Sequence, residues 1–138
     1  MGWLRAIPLL TLPALLYAAV AVTLDHGAIR ASLDQIFLTL ELPSGAVFTV
    51  TRGHAFTMLA AGLLFIEVVK STSTSTASLV ENGLAFLVFI ISFVFFLLNP
   101  AFGTIEFALI IAMMLIDFMA GFVVMTISSR RDVAWAAE

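Results

Sequence analysis

The sequence predicts an all-α membrane protein, a four-transmembrane-helix bundle with a short extracytoplasmic β-hairpin between helices 1 and 2. The first observation behind this prediction is composition. The 138 residues are 62% hydrophobic and only 11% charged, with a mean hydropathy of +1.17. Soluble domains are roughly 45–50% apolar and about 25% charged. A soluble protein of this length cannot bury so much apolar surface, so lipid must surround much of the chain.

The second observation is that the apolar residues fall into four stretches. They predict a single membrane domain over residues 1–138, with spans at approximately 6–24, 53–70, 79–98 and 105–127. At ~1.5 Å per residue, each stretch covers roughly 25–35 Å, about the thickness of a hydrocarbon core. Pro8 falls in the first turn of the first span, whereas Pro13 is expected to kink that helix.

The first stretch resembles a signal peptide because Arg5 precedes an apolar run. That run is about 19 residues long, beyond the usual 7–15, and TLDHG is a poor cleavage site. We therefore expect a retained first span.

The extracytoplasmic segment 25–52 admits two interpretations. Apolar residues recur at helical spacing from Ile29 to Leu40, which is typical of an amphipathic helix on the membrane surface. Its second half instead alternates, with Pro43-Ser44-Gly45 between two alternating runs, which is typical of a hairpin. We predict a short helix around residues 29–34 and a β-hairpin at 36–52, with one continuous helix as the alternative. An isolated hairpin is marginally stable, so it needs support from the bilayer, the bundle or a partner.

The basic residues divide unevenly between the two sides of such a bundle. Four fall on one side, namely Arg5, Lys70, Arg130 and Arg131, whereas Arg30 and Arg52 fall on the other. Cytoplasmic loops of membrane proteins carry the excess of Lys and Arg, so this count predicts cytoplasmic N- and C-termini. The Ser/Thr run at 71–76 is then a flexible cytoplasmic turn.

Signatures of catalysis are missing from the sequence. The chain has no cysteine and no HExxH, GxSxG or GK[ST] motif, and its acids do not occur at metal-ligand spacing. His26 and His54 are placed in a loop and at the end of a span, which does not suit a transmembrane haem. Six scattered basic residues form no nucleic-acid-binding patch. We therefore predict no enzyme, no catalytic, cofactor-binding or metal-binding residue, and no nucleic-acid partner.

Asp117 lies in the middle of the fourth apolar stretch, near the predicted bilayer midplane. A charged side chain there costs ~2.5–3.5 kcal/mol on insertion scales, so it must face protein or water, be paired, or be protonated. One interpretation is a bundle lock, in which Asp117 hydrogen-bonds a neighbouring helix that Gly121 allows to approach closely. The proposed partners are Thr57, Ser92 or Tyr17. The alternatives are a proton or cation relay and a docking residue for a partner helix. The lock is favoured because no basic residue is expected at this depth and no polar companion beside the carboxylate.

A second candidate group is a cytoplasmic-side polar cluster of Glu67, Lys70, Glu81 and Asn82. Glu67 and Lys70 are three residues apart, which predicts a pair on the surface of one helix. Structural anchoring is the favoured role, ahead of a binding site.

Three stretches, LPSGAVFTVTRG, LLFIEVVKSTSTSTASLVEN and LIDFMAGFVVMTISSRRD, resemble those of small four-span proteobacterial proteins known only as hypothetical membrane proteins. The resemblance covers residues from about 36 to 132. It implies a bacterial inner (cytoplasmic) membrane and a hairpin before the second span, and it brings no activity, cofactor or catalytic residue.

These observations predict a non-catalytic integral membrane protein, an accessory or scaffold subunit of a larger membrane complex or a homo-oligomer. Its partners would be the lipid bilayer and other membrane subunits or itself. The Phe-rich third span, apolar all round, suits contact with lipid or a partner. The alternative is a small transporter or proton- or ion-coupled protein that uses Asp117.

Overall fold

Five α-helices and one β-hairpin make up the part of the chain, residues 7–70 and 76–135, that the computed structural model describes. In chain order they are α1 (Thr11–Thr23), α2 (His26–Leu33), β1 (Ile36–Glu41), β2 (Val47–Thr51), α3 (Arg52–Lys70), α4 (Thr76–Leu98) and α5 (Ile105–Trp135), with a 3-10 turn at Pro100–Phe102 between α4 and α5. Arg5, residues 71–75 of the predicted turn and the side chains of Arg130 and Arg131 lie outside the described residues.

Three of the helices are long and apolar enough to cross a membrane, over Arg52–Lys70, Ser78–Leu98 and Ile105–Ser128. These ranges coincide, to within one residue, with three of the four spans placed on the sequence. The remaining predicted span, the first in the chain, corresponds to α1, which is a shorter apolar helix. Length and composition together indicate a small multi-span membrane protein.

The first helix begins later than the sequence suggests. α1 has 13 residues, about 20 Å at ~1.5 Å per residue, whereas a membrane core is ~30 Å thick. Pro13 is the third residue of α1, among the first four, whose N–H groups have no partner inside a helix. The missing N–H of Pro13 therefore removes no helical hydrogen bond, and the predicted kink is wrong.

The predicted hairpin is confirmed. β1 and β2 pair antiparallel, and α2 precedes them where a short helix is predicted. The turn closes with a 2.8 Å hydrogen bond from the Gly45 N–H to the Leu42 carbonyl. Gly45 has a φ of +80°, which glycine adopts without the steric penalty of a side chain.

Cross-strand neighbours divide the hairpin into two unlike faces. Leu38 opposes Val50 and Leu40 opposes Phe48, and these four side chains define what we call the apolar face of the hairpin. The opposite face carries the Thr39–Thr49 and Glu41–Val47 pairs. The sheet is therefore amphipathic.

β2 passes into α3 without a linker, because Thr51 ends the strand and Arg52 begins the helix. The Thr51 hydroxyl accepts from the His54 N–H at 3.2 Å, and the Thr51 N–H donates to His54 Nδ1 at 3.3 Å. This reciprocal pair has the geometry of a capping box, with histidine in place of the usual Glu or Gln. It anchors the hairpin to the start of a spanning helix.

α5 packs against α3, α4 and α1 and forms the centre of the bundle. Two buried apolar clusters lie along it. The first, at the hairpin end, consists of Tyr17, Ala21, Ile29, Phe102, Phe107 and Ile111. The second lies towards the opposite end, which we call the Lys70 end, and consists of Leu10, Ala14, Ala60, Ile110 and Met114.

Candidate functional site

A buried carboxylate determines where α1 begins. Glu67 of α3 is only 2% exposed, and its two oxygens accept hydrogen bonds from the backbone N–H groups of Leu9 (2.6 Å) and Leu10 (3.0 Å). The residue before the helix, Leu10, has no side chain that could cap it. Amide donors at a helix start lack intrahelical partners, and a negative charge there is favourable. Glu67 therefore caps α1 from another helix.

An ion pair joins α3 to α4 beside this cap. Lys70 Nζ contacts Glu81 Oε1, and both side chains are largely removed from solvent. The sequence predicts a pair between Glu67 and Lys70 on the surface of one helix. The surface position is wrong for Glu67, which is buried and points to α1. The positive charge of Lys70 still favours the Glu67 carboxylate, and Lys70 also forms the ion pair with Glu81 of α4.

The two candidate groups converge on one small cavity between α3, α4 and α5. We call it the acid cavity, and its lining residues are Glu67, Ser78, Glu81, Asn82, Ala85, Asp117, Gly121 and Met125. Its volume is about 20 Å³. A water molecule needs roughly 10–15 Å³ measured in this way, so the cavity has room for one.

Asp117 is therefore not isolated from other polar groups. The expectation that no polar companion lies beside it is wrong, because residues of α3 and α4 that the sequence places near the membrane surface line the same cavity. Helices that cross at an angle bring residues of different nominal depth together. Counting residues from the ends of a span does not reveal this.

Asp117 also differs from the other two carboxyl groups of the acid cavity, Glu67 and Glu81, in its hydrogen bonding. It is 6% exposed, and among the described residues its carboxyl group forms no hydrogen bond. Two of its proposed partners bond elsewhere. Thr57 donates to carbonyls of its own helix, and the Tyr17 hydroxyl lies 2.7 Å from Thr104 Oγ1 at the hairpin end.

Gly121 provides the space that Asn82 occupies. A Cβ atom at Gly121 would lie 2.5 Å from Asn82 Oδ1 and 3.0 Å from its Cγ. The Asn82 amide nitrogen lies 3.7 Å from the sulfur of Met125. Gly121, one helical turn after Asp117, thus leaves room for the polar side chain of Asn82 to line the acid cavity.

Gly121→Ala is expected to lower the free energy of unfolding in detergent by about 1 kcal/mol, because the added methyl group overpacks this contact. Gly83→Ala in α4 is the matched control, since nothing lies within 4 Å of its position. The control should be neutral or stabilising by up to about 1 kcal/mol, because alanine favours a helix. Equal effects of the two substitutions would show that the Gly121–Asn82 approach does not matter for stability.

Thr11 and Ser78 border the site but were not singled out from the sequence. The Thr11 hydroxyl oxygen is buried without a hydrogen-bond partner among the described residues, and it lines a narrow gap that Asp117 also lines. Thr11 looks like an ordinary residue of an apolar span, and Ser78 like part of a Ser/Thr-rich linker. No pattern in the sequence distinguishes Thr11, and the spacing of Ser78 and Glu81 predicts only a helix cap for Ser78.

Among the described residues, no group of three or more His, Cys, Asp or Glu side chains is arranged to hold a metal ion. The site's chemistry is that of buried carboxyl groups, one lysine, an amide and hydroxyls around a space the size of a water molecule. Such a site can exchange protons and can hold helices together.

Fold and site define a small multi-span membrane protein with a buried acidic cavity. Comparison of the chain with protein-family models, curated proteins and solved structures finds no match.

Proposed function

We propose that this protein is a non-catalytic accessory or scaffold subunit of a larger membrane complex, or a homo-oligomer, and that the hairpin is its docking element. The observation that carries the proposal is the apolar face of the hairpin. Leu40 is 47% exposed and its cross-strand neighbour Phe48 is 42% exposed. Apolar side chains that remain exposed on one face of an amphipathic sheet favour contact with another surface.

The structure of the sheet adds to this argument. A two-stranded hairpin is marginally stable alone, and both of its strands have a free edge that can pair with another strand. The hairpin contacts α3, into which it leads, and most of its surface stays uncovered. A partner that packs on the apolar face would complete the packing, and a strand of that partner would pair with a free edge.

Localisation and topology form part of the proposal. Including α1 as a fourth span, the protein would lie in a bacterial inner membrane with both termini cytoplasmic. The resemblance to small four-span proteobacterial proteins and the distribution of basic residues support this arrangement. The hairpin would then dock on the extracytoplasmic side.

The test is purification of the full chain in mild detergent after cross-linking in the membrane. We expect either a stoichiometric membrane-protein partner or a defined homo-oligomer. The paired substitution Leu40→Ser with Phe48→Ser should abolish that association, because it removes two neighbouring apolar side chains from the docking face. The helical content should stay unchanged.

The matched control is Thr39→Ser with Thr49→Ser, a cross-strand pair on the opposite face of the same hairpin. It should keep the association. A wild-type chain that purifies as a monomer with lipid alone would contradict the proposal, as would equal loss of association in both paired variants.

A second candidate is a small transporter or a proton- or ion-coupled protein that uses Asp117. The observation in its favour is that Asp117 lies unbonded at a polar cavity inside a membrane bundle, where ionisable residues often mark ion pathways. In proteoliposomes with a pH gradient, Asp117→Asn should then abolish flux while the protein still assembles. Equal flux in wild-type, variant and empty vesicles would reject this candidate.

A further inference from the structure

We propose that the acid cavity is a proton-binding site, in which Asp117 holds one exchangeable proton and hydrogen-bonds a single water molecule. The inference goes beyond the accessory role, which rests on the hairpin and assigns no chemistry to Asp117. It shares the Asp117 carboxyl with the transport candidate, but a proton can bind there without anything crossing the membrane.

Charge balance around the cavity distinguishes Asp117 from its neighbours. The charge of Glu67 is stabilised by two backbone N–H donors of α1, and that of Glu81 by the ammonium group of Lys70. Asp117 has no such donor among the described residues. A buried carboxylate without a hydrogen-bond donor or a directly paired cation is expensive, so the proton resides on the one cavity carboxyl that has neither.

The charged groups near Asp117 come from two of the helices packed around it. The charged groups that line the cavity beside Asp117 are Glu67 from α3 and Glu81 from α4, and Lys70 of α3 contacts Glu81. From α1, the uncharged residue Thr11 lines the same narrow gap as Asp117, and α5 brings Asp117 itself. Two acids and one lysine leave a net charge of −1 before Asp117 is counted, so a second uncompensated negative charge would be repelled.

The size of the cavity indicates that the molecule bound beside the protonated carboxyl is a single water. A space of about 20 Å³ lined by carboxyl, amide and hydroxyl groups holds one water molecule and is too small for an organic ligand. A buried water usually makes about three hydrogen bonds to polar groups that lack other partners. The Asp117 carboxyl is such a group, and Ser78 and Asn82, which have interactions of their own, line the same cavity.

Proton exchange between Asp117 and this water needs no further reactant. The Asp117 carboxyl releases its proton to the cavity water as the O–H bond breaks, and the carboxylate takes up a proton by the reverse step. The cavity reaches the Lys70 end, where Lys70 and Glu81 are partly accessible to solvent. Exchange is therefore expected with the aqueous phase on that side.

Infrared spectroscopy of the full chain in lipid vesicles, with no gradient applied, tests the proposal. At neutral pH the wild-type protein should show a protonated-carboxyl C=O band that shifts in D₂O and disappears as pH is raised. Labelling the aspartates with ¹³C at the side-chain carboxyl should shift the band in the unsubstituted protein, so this result does not depend on how a variant folds. Asp117→Asn should remove the band, and Asp34→Asn, an exposed aspartate at the hairpin end, should leave it.

Four results would overturn the proposal. A band that ¹³C-aspartate leaves in place would assign the proton to a glutamate, and a band absent at neutral pH would show an ionised site. A band insensitive to D₂O would show that the carboxyl does not exchange. Loss of the band on addition of sodium ions at constant pH would replace the proton by a monovalent cation. Each reading is independent of whether a partner protein co-purifies, so the accessory role and the proton site fail separately.

Discussion

Glu67→Ala is expected to lower the free energy of unfolding by about 3–5 kcal/mol. The substitution removes a charged acceptor from two backbone N–H donors, and hydrogen bonds to charged groups contribute ~1.5–3 kcal/mol each. The amides of Leu9 and Leu10 would then lie in the bundle without partners. Reversible unfolding in mixed micelles, followed by circular dichroism, measures the loss.

Two controls separate the cap from a general effect of removing a carboxylate. Glu67→Gln keeps an oxygen acceptor and loses the charge, so it should cost about 1–2 kcal/mol. Glu41→Gln, at an exposed position of β1, should change stability by less than about 0.5 kcal/mol. If Glu67→Ala has no larger effect than Glu41→Gln, the Glu67 carboxylate does not hold α1 in place.

Lys70→Glu is expected to lower the free energy of unfolding by about 2–4 kcal/mol. The change breaks the ion pair with Glu81 and adds a further acid beside a cavity that three carboxyl groups already line. Removing one partner of a buried pair costs ~3–5 kcal/mol, and partial exposure of this pair reduces that figure. Thermal unfolding in one detergent at fixed ionic strength provides the comparison.

Combining Lys70→Glu with Glu81→Lys should restore most of the lost stability, because the swap re-forms the pair with reversed polarity. A double-mutant cycle isolates that interaction from other effects of each substitution. Arg52→Glu, an exposed cation at the hairpin end, serves as the control and should have a small effect. Additive losses in the double variant would show that Lys70 and Glu81 do not interact energetically.

The docking element and the acid cavity lie at different ends of the bundle. The hairpin is continuous with the start of α3, whereas Glu67 and Lys70 lie at its other end. Substitutions on the apolar face of the hairpin should therefore leave the infrared band of Asp117 unchanged. This separation allows the two proposals to be tested in the same protein.

Local patterns were enough to predict the hairpin and the three helices that are long and apolar enough to span a membrane. A run of about 20 apolar residues can satisfy its backbone in lipid only as a helix, so its boundaries are visible in composition. The hairpin is visible because alternation with period two flanks a Pro-Ser-Gly turn, and Gly45 supplies the positive φ.

The start of α1 could not be predicted in this way. Apolar residues continue on both sides of Thr11, so composition gives no boundary there. The boundary depends on Glu67, which lies more than fifty residues further along the chain and supplies the cap. The kink expected at Pro13 was wrong for the same reason.

By itself, the sequence determined that this chain has the composition of a small multi-span membrane protein, that three of its helices are long and apolar enough to cross a membrane, and that a hairpin precedes α3. Hydrophobic length and turn chemistry are local properties. It also singled out Asp117, Gly121 and the four residues of the polar cluster by their unusual cost or position. Only the tertiary structure decided that Asp117 shares one cavity with Glu67, Glu81 and Asn82. Which side chains meet across helices depends on axial offsets and crossing angles, and those follow from packing the whole bundle.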